Sequence, residues 1–109
     1  MVHVLVTLIA NPDELEALEI YKRQAKAIRD EYGAELVLRL DVKERLLGSF
    51  EEESIRILKF PSADHVRKWL TDPRYLKTLP FRDRGYRKVT ITLLEEKLNC
   101  IGSSLMGKS

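Results

Sequence analysis

The order in which strand-like and helix-like segments alternate constrains this chain more than any other feature of its sequence. Four segments are rich in β-branched or alternating apolar residues, as is typical of strands: 2–10, 35–43, 55–60 and 88–94. Apolar residues at helical spacing follow the first and the third of these segments. The resulting order β-α-β-β-α-β predicts a ferredoxin-like α+β domain, in which a four-stranded antiparallel sheet carries two helices on one face.

Residues that start and stop helices mark the boundaries of the two predicted helices. In the first helix, apolar residues recur at steps of three and four over 15–32, and Gly33 is placed to end it. Ser62 is suited to cap the second helix. Asp72-Pro73 should interrupt that helix, which then restarts as a short segment that Pro80 ends.

The composition predicts one small domain. The 109 residues are 44% apolar, enough for a single core, and a net charge of +2 excludes a disordered acidic or basic tail protein. One cysteine excludes an intrachain disulfide and a zinc site built on paired cysteines. The longest apolar run, 4–10, is too short to span a bilayer and has no signal-peptide features, so we expect a cytoplasmic protein without a membrane partner. We expect the domain to occupy 1–96 and a mobile or partner-dependent tail to occupy 97–109.

Two helices cover only one face of such a sheet, and strand parity predicts which side chains lie beneath them. The uniformly apolar set should lie under the helices: Val2, Val4, Val6, Leu8, Leu36, Leu38, Leu40, Ile55, Ile57, Val89, Ile91 and Leu93. The remaining set should lie on the open face: His3, Leu5, Thr7, Ile9, Val37, Arg39, Asp41, Arg56, Leu58, Phe60, Thr90, Thr92 and Leu94. The apolar members of the open face form a patch too large for a small monomer, so we expect a second copy of the sheet to cover it in a homodimer.

Part of the sequence is similar to a known family. The similar residues are Phe60-Pro61-Ser62, Trp69, Asp72-Pro73-Arg74-Tyr75 and, upstream, Gly33 followed by an apolar strand with Arg39. This pattern resembles the small bacterial family called domain of unknown function 1330, over about residues 2–96. The resemblance implies a dimeric α+β barrel, in which two ferredoxin-like units pack sheet against sheet. The wider superfamily includes cofactor-free monooxygenases, haem-degrading enzymes, chlorite dismutase-like haem proteins and small isomerases, and the fold does not select among them.

Two groups of residues are candidates for binding an anion. Arg39 and Arg56 are predicted on the open face with His3 nearby, where two guanidinium groups would hold a carboxylate or phosphate. The alternative is that they form salt bridges across a subunit interface. Tyr75 and Arg82 lie at the tyrosine and arginine positions of the family that the chain resembles, so they are further candidate ligand-binding residues.

The segment 67–88 is strongly basic, with eight basic residues against two acids. An anionic small molecule could exploit this charge, or the segment could be an ordinary solvated surface. It has no stacking motif of an RNA-binding strand, so nucleic acid is not expected as a partner.

The remaining residues predict no cofactor and no metal. A haem-degrading relative would need a histidine ligand that comes after the tryptophan in the chain, whereas here His65 precedes Trp69. We therefore expect Trp69 to anchor the core and His65 to be an exposed first-turn residue.

Three functions follow from the sequence. The first is a small dimeric protein that binds an anionic organic ligand in the barrel. The second is a cofactor-independent monooxygenase or isomerase acting on a small aromatic or keto acid, with His3 as a weak candidate base and His65 as another. The third is a structural or interaction module whose tail docks a partner.

Overall fold

The computed structural model describes residues 1–97, which form one antiparallel sheet with helices packed against it. Within these residues there are four strands and four helical segments: β1 (Val2–Ala10), α1 (Leu15–Glu31), β2 (Glu35–Asp41), β3 (Ser54–Phe60), α2 (Ala63–Thr71), α3 (Pro73–Leu76), α4 (Leu79–Gly85) and β4 (Tyr86–Leu94). The strand order is β2-β3-β1-β4. The predicted ferredoxin-like α+β fold is therefore confirmed. The predicted tail lies, from residue 98 onward, outside the described residues.

Local signals account for most of the helix boundaries. Gly33 has a φ of +80°, a backbone conformation that suits glycine, and it follows the end of α1. The Ser62 hydroxyl accepts a hydrogen bond from the backbone N–H of His65 and caps α2. The Asp72 carboxylate caps α3 by accepting a bond of 2.7 Å from the backbone N–H of Arg74.

The prediction for Pro80 was wrong. Pro80 lies in the first turn of α4, where backbone N–H groups make no hydrogen bond within the helix. Its lack of an N–H therefore costs nothing there, and Pro80 begins a helix instead of ending one. The second predicted helix is consequently three consecutive segments. A side chain at Gly85 would meet the backbone of Leu18 at 2.9 Å, so glycine at this position allows α4 to approach α1 closely.

The core lies between the sheet and the helices. Its largest fully buried side chains include Trp69, Tyr75, Phe60 and Leu58. The rings of Phe60 and Trp69 stack with their centroids 5.6 Å apart, so β3 and α2 share one aromatic contact. Trp69 is therefore a core residue, as the sequence predicted.

The faces predicted for the β3 side chains were wrong, because the alternation is offset by one residue from the predicted one. Directly opposite residues of antiparallel strands share a face, and Val4 of β1 lies opposite Leu58 of β3, with both buried in the core. Three β3 residues therefore face the helices although they were predicted on the open face: Arg56, Leu58 and Phe60. Ile55 and Ile57 lie opposite Thr7 and Leu5, on the open face.

An irregularity in β2 changes its parity as well. The pairing of β2 with β3 shifts between Leu36 and Leu38. After the shift, Arg39 lies opposite Arg56 and so faces the helices, contrary to the prediction. Asp41, opposite Ser54, shares that side, whereas Leu38 and Leu40 lie on the open face.

Among residues 1–97, no helix combines the length and the apolar character that crossing a membrane requires.

Candidate functional site

A cavity of about 480 Å³ lies between α1 and the sheet, and we call it the helix-side cavity. The side chains of the sheet that line it are largely apolar, among them Val6, Leu58, Val89 and Ile91. Aromatic side chains of Tyr21, Trp69 and Tyr86 complete the apolar part of its lining. Its volume is that of a site for a small organic molecule.

Five cationic side chains also line the helix-side cavity: Lys22, Lys26 and Arg29 from α1, Arg39 from β2 and Arg56 from β3. Asp30 is the acidic residue of the lining, and its carboxylate already pairs with Lys26 at 2.7 Å. Within residues 1–97, the other four cations make no ion pair with a carboxylate. The cavity therefore carries a concentrated positive charge.

Arg39 and Arg56 hold the most unusual position in this group, because they are direct cross-strand partners. Like charges placed directly opposite each other destabilise a sheet. The hydrogen bond that Arg56 makes goes to a neutral group, since its Nη1 donates to the Ser54 hydroxyl at 3.0 Å. The arrangement leaves both guanidinium groups with capacity to bind an anion.

The pKa values of the cavity cations reflect burial and mutual repulsion. Burial lowers the pKa of Arg29. Burial also lowers the pKa of Arg56; the nearby charge of Arg39 lowers it further, while Tyr86 and Asp41 oppose these effects. The pKa of Lys22 is lowered first by burial and then by the charge of Arg56, with a smaller contribution from Arg39, while the charge of Glu19 opposes these effects. A bound anion would oppose each of these shifts.

The sequence interpretation missed the contribution of α1. Lys22, Lys26 and Arg29 are spaced i, i+4 and i+7, which places them on one side of the helix. They border the buried stripe that contains Tyr21 and Ala25. This spacing is the sequence signal that could have identified them.

Tyr75 and Arg82 lie at a second, more open cavity of about 580 Å³ between β4 and the helices α3 and α4. Tyr75 is buried in the core, where its hydroxyl lies 3.0 Å from that of Tyr21 and accepts a bond of 3.3 Å from Arg82 Nη1. The second cavity shares Tyr86 with the helix-side cavity. The four predicted ligand-binding residues are thus divided between two adjoining cavities.

Neither histidine lines the helix-side cavity. His3 of β1 lies opposite Lys59 and Leu94, on the open face, so the structure separates it from Arg39 and Arg56. The ring of His65 is half-buried at the start of α2, where its Nδ1 lies 2.7 Å from the Ser62 hydroxyl. Within residues 1–97, no cluster of His, Cys, Asp or Glu side chains has the composition of a metal site.

The basic segment 67–88 is largely neutralised. Five of its eight basic residues form ion pairs with carboxylates: Arg67, Arg74, Arg82, Arg84 and Lys88. Lys88, for example, pairs with Glu52 at 2.7 Å. Within residues 1–97, three basic residues of the segment make no ion pair, namely Lys68, Lys77 and Arg87, against four at the helix-side cavity.

The fold and this cavity define a small α+β domain with a basic, partly apolar pocket beneath its first helix. The chain belongs to the family described as "Domain of unknown function (DUF1330)", whose model matches residues 4–96. No curated protein matches the chain.

Solved structures share the fold at low sequence identity. A protein of unknown function from Rhodopseudomonas palustris is 19% identical, with a TM-score of 0.76 over 89% of this chain and 82% of that one. SnoaB, a cofactor-independent oxygenase from Streptomyces nogalater, is 13% identical, with a TM-score of 0.62 over 92% and 96% of the two chains. A dimeric protein of unknown function with a ferredoxin-like fold from Bacteroides fragilis is 12% identical, with a TM-score of 0.58 over 87% and 95%.

Proposed function

We propose that the protein binds a small organic anion with an apolar body in the helix-side cavity. The observation that carries this proposal is the cross-strand pair Arg39 and Arg56, which has no carboxylate partner within residues 1–97. An anion between the two guanidinium groups would replace their repulsion with charge-assisted hydrogen bonds, each contributing about 1.5–3 kcal/mol.

The rest of the lining supports an organic ligand over an inorganic ion. Val6, Leu58 and Ile91 offer an apolar surface, and Tyr21 and Tyr86 add aromatic rings. A free phosphate or sulfate would leave this surface uncovered. A carboxylate attached to an aromatic or aliphatic body would use both the charged and the apolar parts of the lining.

A thermal-shift screen tests this proposal. The ligands would be aromatic acids, keto acids and phosphorylated metabolites, together with the neutral amides of the same acids. We expect some acids to raise the melting temperature and their amides to have little effect. Arg39→Met and Arg56→Met keep much of the side-chain volume and remove the charge, so each should weaken binding about tenfold, the equivalent of roughly 1.4 kcal/mol.

Arg23→Met is the matched control, because Arg23 is an exposed residue of α1 that does not line the cavity. It should bind the acids as the wild type does. If amides stabilise the protein as well as acids do, or if the two cavity variants respond like Arg23→Met, the proposed anion site is wrong.

A cofactor-independent oxygenase or isomerase acting on a small aromatic or keto acid is the second candidate function. The fold shared with SnoaB supports it. Such chemistry needs a base beside the ligand, and among the described residues lining the helix-side cavity there is no histidine. Asp30 is paired with Lys26, so Lys22 is the amine of the described lining that makes no ion pair. Oxygen uptake or isomerisation of a bound acid, lost in Lys22→Met, would favour this alternative.

We also propose that two copies associate through their open faces. Leu38 and Leu40 are 51% and 47% exposed there, beside the half-buried Leu5 and Ile57. A second copy would remove this apolar surface from water. The dimeric Bacteroides fragilis protein of the same fold supports this arrangement.

A further inference from the structure

Lys22 differs from the other lysine of the helix-side cavity in its environment. Lys26 is exposed and pairs with Asp30 at 2.7 Å. Lys22, one turn earlier on α1, is half-buried and makes no ion pair within residues 1–97. It faces Arg39 and Arg56 of the sheet across the same cavity.

This environment makes the ammonium form less favourable than in an exposed lysine. Burial and then the charge of Arg56 lower the pKa of Lys22, with a further contribution from Arg39, while the charge of Glu19 on the same helix opposes them. A desolvated lysine beside other cations is a nucleophile towards carbonyl carbon.

We propose that Lys22 forms an imine with the carbonyl group of a 2-oxo acid bound in the helix-side cavity. The inference rests on the proposed function, since Arg39 and Arg56 must hold the carboxylate of the acid. A carbonyl next to that carboxylate would lie beside the two arginines, whose charges act on Lys22 across the same cavity. The apolar lining takes the rest of the acid.

The reaction balances without any further reagent. The Lys22 ammonium loses a proton to water, and its nitrogen attacks the carbonyl carbon to form a C–N bond while the C=O electron pair moves to oxygen. The oxygen takes up two protons and leaves as water. The product is a protonated imine, so that ammonium and ketone give iminium and water with no change in oxidation state.

Reductive trapping tests this inference. The wild-type protein is incubated with phenylpyruvate and cyanoborohydride and then analysed by intact mass and peptide mapping. We expect a single adduct at Lys22, heavier by the mass of the acid less one oxygen atom. Lys22→Arg, which keeps the charge, should lose at least nine-tenths of the adduct, whereas Lys68→Arg, at an exposed lysine of α2 that lines neither cavity, should retain it. Arg39→Met should also reduce trapping, because the acid is no longer held.

A second acid distinguishes failure of the imine proposal from failure of the binding-site proposal. Phenyllactate, which has a hydroxyl in place of the carbonyl, should raise the melting temperature of the wild type but leave no adduct. If both acids stabilise the protein and no adduct forms at Lys22, or if adducts spread evenly over the exposed lysines, the imine is wrong and the binding site stands. If neither acid nor any other anion stabilises the protein, both proposals are wrong.

Discussion

The hydroxyl groups of Tyr21 and Tyr75 lie 3.0 Å apart in the core, and each tyrosine lines a different cavity. Burial raises the pKa of Tyr21, and Tyr75 raises it further, so this phenol stays neutral at any physiological pH. Arg82 donates to the Tyr75 hydroxyl from the second cavity. A short chain of hydrogen bonds thus connects the two cavities through the core.

Tyr75→Phe should destabilise the protein more than Tyr21→Phe does. Removing the Tyr21 hydroxyl deletes one hydrogen bond, which costs about 0.5–1.5 kcal/mol. Removing the Tyr75 hydroxyl takes a partner from both Tyr21 and Arg82, and the buried Tyr21 hydroxyl then remains unsatisfied, for a cost of about 1–3 kcal/mol. Urea denaturation of the two variants measures the difference. Equal losses, or a larger loss in Tyr21→Phe, would contradict this account.

Without a ligand, Arg39→Met should be at least as stable as the wild type. The substitution removes a like-charge pair with Arg56, which relieves about 0.2–1 kcal/mol of repulsion. Added salt should stabilise the wild type more than the variant, because screening relieves the same repulsion. Urea denaturation at low and high salt measures both effects, with Arg23→Met as the control. A loss of stability in Arg39→Met would mean that the arginine is a structural residue.

Leu40→Arg should dissociate the proposed dimer and leave the subunit folded. Leu40 is 47% exposed on the open face of one chain, so a charge there disturbs the subunit little but cannot be buried against a second sheet. Light scattering should give twice the chain mass for the wild type and the single mass for the variant. Leu15→Arg is the control and should stay dimeric, because Leu15 is a 60% exposed residue of α1, on the other side of the sheet. A monomeric wild type at micromolar concentration would overturn the dimer.

Asp72 should make the stability of the fold depend on pH in the acid range. Hydrogen bonds from Arg74 and then from Tyr32 hold the pKa of its carboxyl well below the ordinary value of 3.8. Because the pKa in the folded state is the lower one, the contribution of Asp72 is complete above pH 3.8 and is lost as the pH falls towards the pKa of the folded state. Asp72→Asn should therefore be less stable than the wild type at pH 6, and the gap should narrow below pH 4. Melting temperatures measured from pH 3 to pH 7 check this, and a constant gap would contradict it.

Much of the fold could be predicted because its signals are local. Gly33 follows the first helix and Ser62 caps the second, each through its own backbone or side chain. The candidate site could be predicted only in part. Arg39 and Arg56 were correctly placed together, but on the wrong side of the sheet and with His3, which the structure puts on the other side.

The sequence by itself determined the order and the approximate limits of the strands and helices, because each depends on residues that are neighbours along the chain. Only the tertiary structure decided which face each strand presents. In β3, Ile55 and Ile57 are as apolar as Leu58 and Phe60, so hydrophobicity does not distinguish the two faces, and pairing with β1 does. In β2, the irregularity after Leu36 reverses the parity of the residues that follow. These two long-range effects place Arg39 and Arg56 on the side of the sheet that faces α1, and the cations of α1 complete the lining of the helix-side cavity.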